Sequence, residues 1–239
     1  MFKLIALLLS GAKLGKLFVT GGSMLISLVV YAWIYGWRYA AGFIAMLFVH
    51  EMGHFIAARH KGLKVGTPTF IPFVGAWIDL KEQPRDAQTE AFVGLGGPLL
   101  GTVGATVTYL MARSWEADWL LAVAYSGFFL NLFNLIPISP FDGGRITAVL
   151  SPRIWLLGAP LLVALFFWRP SPMLILMAVL AWPQLVQAWK HRADSPEAQA
   201  YYAVPAAVKW EYATYYLVLA AYLAVMCHDV HEMLAHLRA

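Results

Sequence analysis

Two histidines four residues apart bracket a glutamate in His50-Glu51-Met52-Gly53-His54, and the residues on both sides are apolar. On a helix that spacing puts both imidazoles on one face, one turn apart. Both rings can then reach one tetrahedral zinc ion at about 2.0–2.1 Å. Glu51 stands beside a ligand position, where a carboxylate can take a proton from a zinc-activated water. An ionisable group at mid-bilayer costs roughly 2.5–3.5 kcal/mol on insertion scales, so three in one apolar run point to function.

Two histidines leave a catalytic zinc one protein ligand short. The third should be an acidic or imidazole side chain at the same depth. The stretch Asn131-Leu-Phe-Asn134-Leu-Ile-Pro137-Ile-Ser-Pro140-Phe-Asp142-Gly143-Gly144-Arg145 offers Asp142. Its prolines and paired glycines should break a helix at membrane depth, which is tolerated where the backbone lines a cavity. The Asn134 amide can donate to the oxyanion of a tetrahedral intermediate. For Asn131 a plain hydrogen bond between helices is the simpler expectation.

Composition sets what must carry these residues. Of 239 residues, 61% are hydrophobic and 13% charged. A soluble domain has about 45–50% and about 25%. The chain therefore reads as an all-α polytopic membrane protein with six or seven transmembrane helices. Candidate spans lie at 19–36, 39–58, 91–112, 119–138, 154–168, 173–189 and 211–227. Residues 1–12 resemble a signal peptide with a short apolar core, but a longer apolar run follows almost at once. Lys3, Ser10, Lys13 and Lys16 keep helical spacing, so an interfacial amphipathic helix is expected at 1–18. A membrane-embedded domain follows at 19–190, with its catalytic core at 40–145, and 191–239 form a linker and C-terminal helix. Residues 64–79 are rich in β-formers but broken by Pro68, Pro72 and Gly75, and predict a short re-entrant β element. An unpaired strand edge at 67–79 could receive an unwound substrate.

Charge sets the orientation. With the N-terminus in the cytoplasm and seven crossings, only Arg38, Arg113, Arg169 and Arg238 of the 17 Lys and Arg fall outside. That bias favours this topology. It places the HEMGH motif and Asp142 near the cytoplasmic ends of their spans, at one depth. The net charge of +4 is read through this rule, and no nucleic-acid partner is expected. The single cysteine, Cys227, excludes an internal disulfide and a multi-cysteine zinc site.

With both motifs in hand, the chain resembles the site-2 protease family of intramembrane zinc metalloproteases. HEMGH fits the family's His-Glu-x-x-His pattern, and Asn134-x-x-Pro137 through Asp142-Gly143 fits its second motif. Gly94-Leu-Gly96-Gly97-Pro98 looks like its glycine-rich third span. The resemblance covers roughly residues 40–145. It implies one Zn2+ per chain on His50, His54 and Asp142, with Glu51 as general base and Asn134 assisting. It implies peptide-bond hydrolysis in or near the membrane segment of a substrate, single-span by expectation, in the regulated proteolysis of membrane proteins. The enzyme would be a multi-pass protein of the cell membrane, its active site towards the cytoplasm. Phe141 departs from the leucine common before the aspartate. No segment is long enough for an inserted PDZ domain, and none reads as a nucleotide-sensing pair.

Other features have plainer explanations. Gly97 and Gly101 form a Gly-x-x-x-Gly pair for which close helix packing suffices. His228, His231, Glu232 and His236 could suggest a second metal site, but the topology puts them across the membrane and a solvated helix end explains them. The alternative functions are a membrane metal transporter with the same ligands, which gives Glu51 no distinct role, and a catalytically silent relative, against which the intact Glu51 argues.

Overall fold

The computed structural model describes residues 20–72, 75–189 and 196–237. The expected interfacial helix at 1–18 and residues 190–195 of the linker lie outside them. The first two helices, α1 (Thr20–Tyr35) and α2 (Trp37–His60), meet at Gly36. A hairpin of β1 (Val65–Ile71) and β2 (Gly75–Leu80) follows. The remaining helices are α3 (Ala87–Ser114), α4 (Asp118–Asn134), the short α5 (Asp142–Thr147), α6 (Trp155–Trp168), α7 (Pro172–Trp189), the short α8 (Pro196–Tyr201) and α9 (Ala206–His236).

Local chemistry sets the boundaries that matter for the site. Helix α2 ends in a paired closure. Gly62 takes φ +75° and donates to Arg59 O, while Leu63 N reaches back to Ala58 O. A glycine suits this left-handed position, and the residue after it packs back on the last turn. Leu63 does so, against Ala58 and Val93 of α3. At the start of α3, Asp86 accepts from Thr89 N at 2.6 Å, a side-chain cap for an orphan N–H.

Helices α2, α3 and α4 pack on one another, and α9 lies against the outer side of α4. Met46, Leu95, Phe128 and Leu223 meet in the main core. A second cluster joins Ile138 and Phe141, before α5, to Trp155, Leu162, Leu174 and Met177 of α6 and α7. Side chains such as Val103, Leu110, Leu217, Val218 and Trp182 stay at least half exposed. So much outward apolar surface suits contact with lipid better than with water.

Among the described residues three helices, α2, α3 and α9, are long and apolar enough to cross a membrane. With 17 residues, α4 is about 26 Å long, short of a hydrocarbon core of about 30 Å. The fold is mostly helical, as expected, and three full-length spans are found among the described residues.

Two expectations need correction. The fourth apolar run does not stay helical to residue 138. Helix α4 stops at Asn134, before either proline, and Gly143 and Gly144 lie inside α5 rather than breaking a helix. A Cβ on Gly143 would lie 2.5 Å from Ile136 O, so the glycines let α5 press onto the backbone of 135–139. The hairpin is antiparallel, as β-propensity suggests, but its edge is not open throughout. Phe70 N donates to Ser23 Oγ of α1 at 3.1 Å, and the Phe70 side chain is buried against Tyr31, Ile44 and Leu47.

Candidate metal centre

Helix α2 carries His50, Glu51 and His54 on its buried side, and α5 presents Asp142 from its first turn. His50 Nε2 and His54 Nε2 lie 3.2 Å apart, and each lies 3.1 Å from Asp142 Oδ2. Three ligands on one tetrahedral ion at about 2.0–2.1 Å lie about 3.3–3.4 Å apart. Two imidazole nitrogens and one carboxylate oxygen in a near-equilateral triangle fit that requirement, and the donor types suit zinc. All three residues are buried. Among the described residues this is the one cluster of His, Cys, Asp or Glu able to hold a metal ion. The C-terminal histidines do not form another. His231 lies instead beside the Tyr125 ring, centroids 5.7 Å apart.

The far nitrogens fix which face of each ring points inward. His54 Nδ1 lies 2.8 Å from Val93 O, a pure acceptor, so Nδ1 holds the proton and Nε2 keeps a free lone pair. His50 Nδ1 lies 2.9 Å from Asn131 Oδ1. Asn131 Nδ2 donates to Gly127 O at 2.7 Å, which orients the amide and leaves Oδ1 to accept from His50. Such partners set tautomer and ring orientation.

The glycine-rich stretch of α3 makes this closeness possible. Gly53 and Gly96 touch backbone to backbone, and a Cβ on Gly97 would overlap the His54 ring. Pro98, inside α3, has no N–H to donate, so the carbonyl of Gly94 lacks its usual intrahelical partner. The glycines thus pack helices, as expected, and that packing sets the His54 position.

Glu51 is buried beside the trio, within electrostatic reach of both histidines, Asp142 and Arg145. Asn134 is placed less directly. Its amide donates to Leu130 O of its own helix at 3.0 Å. Of the two asparagines, Asn131 is the one that touches a histidine of the trio, so the expectation of a plain interhelical bond undersold it. Both stand within one turn of α4, and only the facing helix distinguishes them. Val93 and Arg145 also escaped the sequence reading. A backbone carbonyl leaves no signal in sequence, whereas Arg145, three residues beyond Asp142, could have been noticed.

Residues 38–116 match the profile of peptidase family M50. Over that stretch the chain is related to the M50 peptidases. The matched residues include HEMGH and Gly94–Pro98 and stop short of Asp142, whose place beside the histidines comes from the geometry. A zinc metalloprotease of Methanocaldococcus jannaschii is 28% identical over 111 residues, 44% of this chain and 32% of the relative. Rip3 of Mycobacterium tuberculosis is 35% identical over 127 residues, 49% of this chain and 32% of the relative. EGY1 of Arabidopsis thaliana, a chloroplast protein, is 27% identical over 153 residues, 44% of this chain and 28% of the relative. All three names carry the words zinc metalloprotease. The chain thus spans about a third of the length of the curated relatives it matches. The site-2 protease structure from Methanocaldococcus jannaschii aligns with a TM-score of 0.45 at 18% identity, over 76% of this chain and 87% of that one.

Proposed function

We propose that the chain is an intramembrane zinc metalloprotease that hydrolyses peptide bonds within or near the transmembrane segment of a single-span substrate. The observation that carries this reading is the triangle of His50 Nε2, His54 Nε2 and Asp142 Oδ2, with a carboxylate, Glu51, beside it and not part of it. A zinc ion held there would lower the pKa of a water to about 7 and polarise the scissile carbonyl. His50, His54 and Asp142 would hold the ion. Glu51 takes the proton of the attacking water and passes it to the leaving amine. Asn134 is assigned the oxyanion contact, for which its amide must exchange Leu130 O for substrate. The buried setting keeps bulk water from the charged groups and strengthens their interactions.

In this reading α1, α4, α6 and α7 join the three long helices in crossing the cell membrane. The excess of Lys and Arg on one side of these spans supports a metal centre towards the cytoplasm. The rivals are a metal transporter on the same ligands and a silent relative.

Glu51→Gln separates them, because it keeps shape and removes the base. The variant should retain zinc and bind substrate yet cleave about 10²–10⁴-fold more slowly. Reconstituted wild type and variant are compared for zinc content, zinc flux and cleavage of co-expressed single-span proteins. Cleavage that survives in Glu51→Gln, or wild-type zinc flux without cleavage, would overturn the protease reading.

A further inference from the structure

Helix α8 lies beyond the segment that the sequence reading assigned to catalysis, yet one of its side chains reaches towards the metal centre. Tyr201 Oη donates to Glu90 Oε2 of α3 at 2.5 Å. Glu90 Oε1 lies 4.0 Å from Arg145 Nε, and Arg145 Nη1 lies 3.8 Å from Asp142 Oδ1. Asp142 thus turns Oδ2 to the histidines and Oδ1 to a guanidinium. The two long contacts exceed hydrogen-bond length and act as charge contacts between partly buried groups. The C-terminal segment is seated here by a further bond, from Tyr216 Oη of α9 to Leu135 O at 2.5 Å.

A guanidinium this close to Asp142 competes with a metal cation for the same carboxylate. Glu90 offsets that competition because it draws the guanidinium from the other side. Tyr201 fixes the Glu90 carboxylate, and its own proton is secure. Burial, and then the Glu90 acceptor, push the Tyr201 phenol well above its usual range.

We propose that Tyr201 and Glu90 are positioning residues that act through Arg145 to hold Asp142 available to the metal. Helix α8 is then part of the catalytic apparatus rather than a linker. The inference rests on the zinc-site reading and on no particular substrate.

The test measures zinc transfer from the purified full chain to a chelator in detergent, beside the melting temperature of the metal-free protein. Glu90→Gln should weaken zinc retention about tenfold or more, in the range seen for lost outer partners of metal ligands. Tyr201→Phe should act in the same direction, more weakly. Both effects should vanish in an Arg145→Gln background, because each acts only through that guanidinium. The metal-free melting temperature of Tyr201→Phe should stay near wild type. Effects of Glu90→Gln that persist at full size without Arg145, or zinc retention in Glu90→Gln and Tyr201→Phe equal to wild type, would overturn the proposal and leave the zinc site standing. Failure of wild type itself to retain zinc would instead overturn both.

Discussion

Gly97→Ala probes how closely α3 must approach the metal centre. A Cβ at residue 97 would stand 2.5 Å from His54 Cε1 and 2.7 Å from Cδ2, and nearer still to Nε2. Ordinary contact begins near 3.4 Å, so the ring or the helix must shift by about 1 Å. The ring is held by Val93 O on one side and by its own helix on the other. A shift of that size takes Nε2 out of the triangle, and misplacement by about 1 Å can cost about 10²-fold in rate. That factor corresponds to about 2.7 kcal/mol. Overpacking costs about 1–3 kcal/mol, of which alanine's better helix propensity returns about 0.8–1.0. The net cost to folding is then about 0–2 kcal/mol, below the loss in activity. Gly104→Ala, on the same helix, would meet only the Val49 side chain, with Cγ1 at 3.0 Å and Cβ and Cγ2 at ordinary contact distance, so a shift of a few tenths of an ångström suffices. Zinc content, melting temperature and cleavage of one substrate are compared for both variants. Gly97→Ala should lose about 10²-fold in cleavage and part of its zinc, and Gly104→Ala should resemble wild type. Wild-type cleavage by Gly97→Ala with a raised melting temperature would refute the claim that this glycine sets the His54 position.

Asn131→Leu removes the acceptor from His50 Nδ1, and zinc affinity should fall about 10–100-fold, read by chelator competition. Asn134→Leu should leave zinc affinity unchanged while slowing cleavage, so equal zinc loss in both variants would count against the division of roles. Cysteines placed at Lys61 and His231, in a chain lacking Cys227, should label at His231 but not at Lys61 with an impermeant thiol reagent in intact cells. The reverse pattern would invert the topology.

Much of the site follows from local rules. A helix repeats every 3.6 residues, so His50 and His54 share a face wherever α2 lies, and their setting in an apolar run marks them. Asp142 stood out for the same reason, an acid amid apolar residues after two prolines. Helix ends were harder, because the break at Asn134 depends on how α5 packs back onto residues 135–139. Which asparagine meets a histidine was beyond local reasoning. Asn131 and Asn134 differ by 300° of helical rotation, and only the packing of α4 beside α2 turns one to His50. The contact of Tyr201 with Glu90 spans 111 residues of chain, and Val93 contributes a backbone carbonyl that every residue possesses. Spacing within one element is encoded in a few neighbouring residues. Which elements meet, and at what rotation, is decided by the summed packing of the whole core.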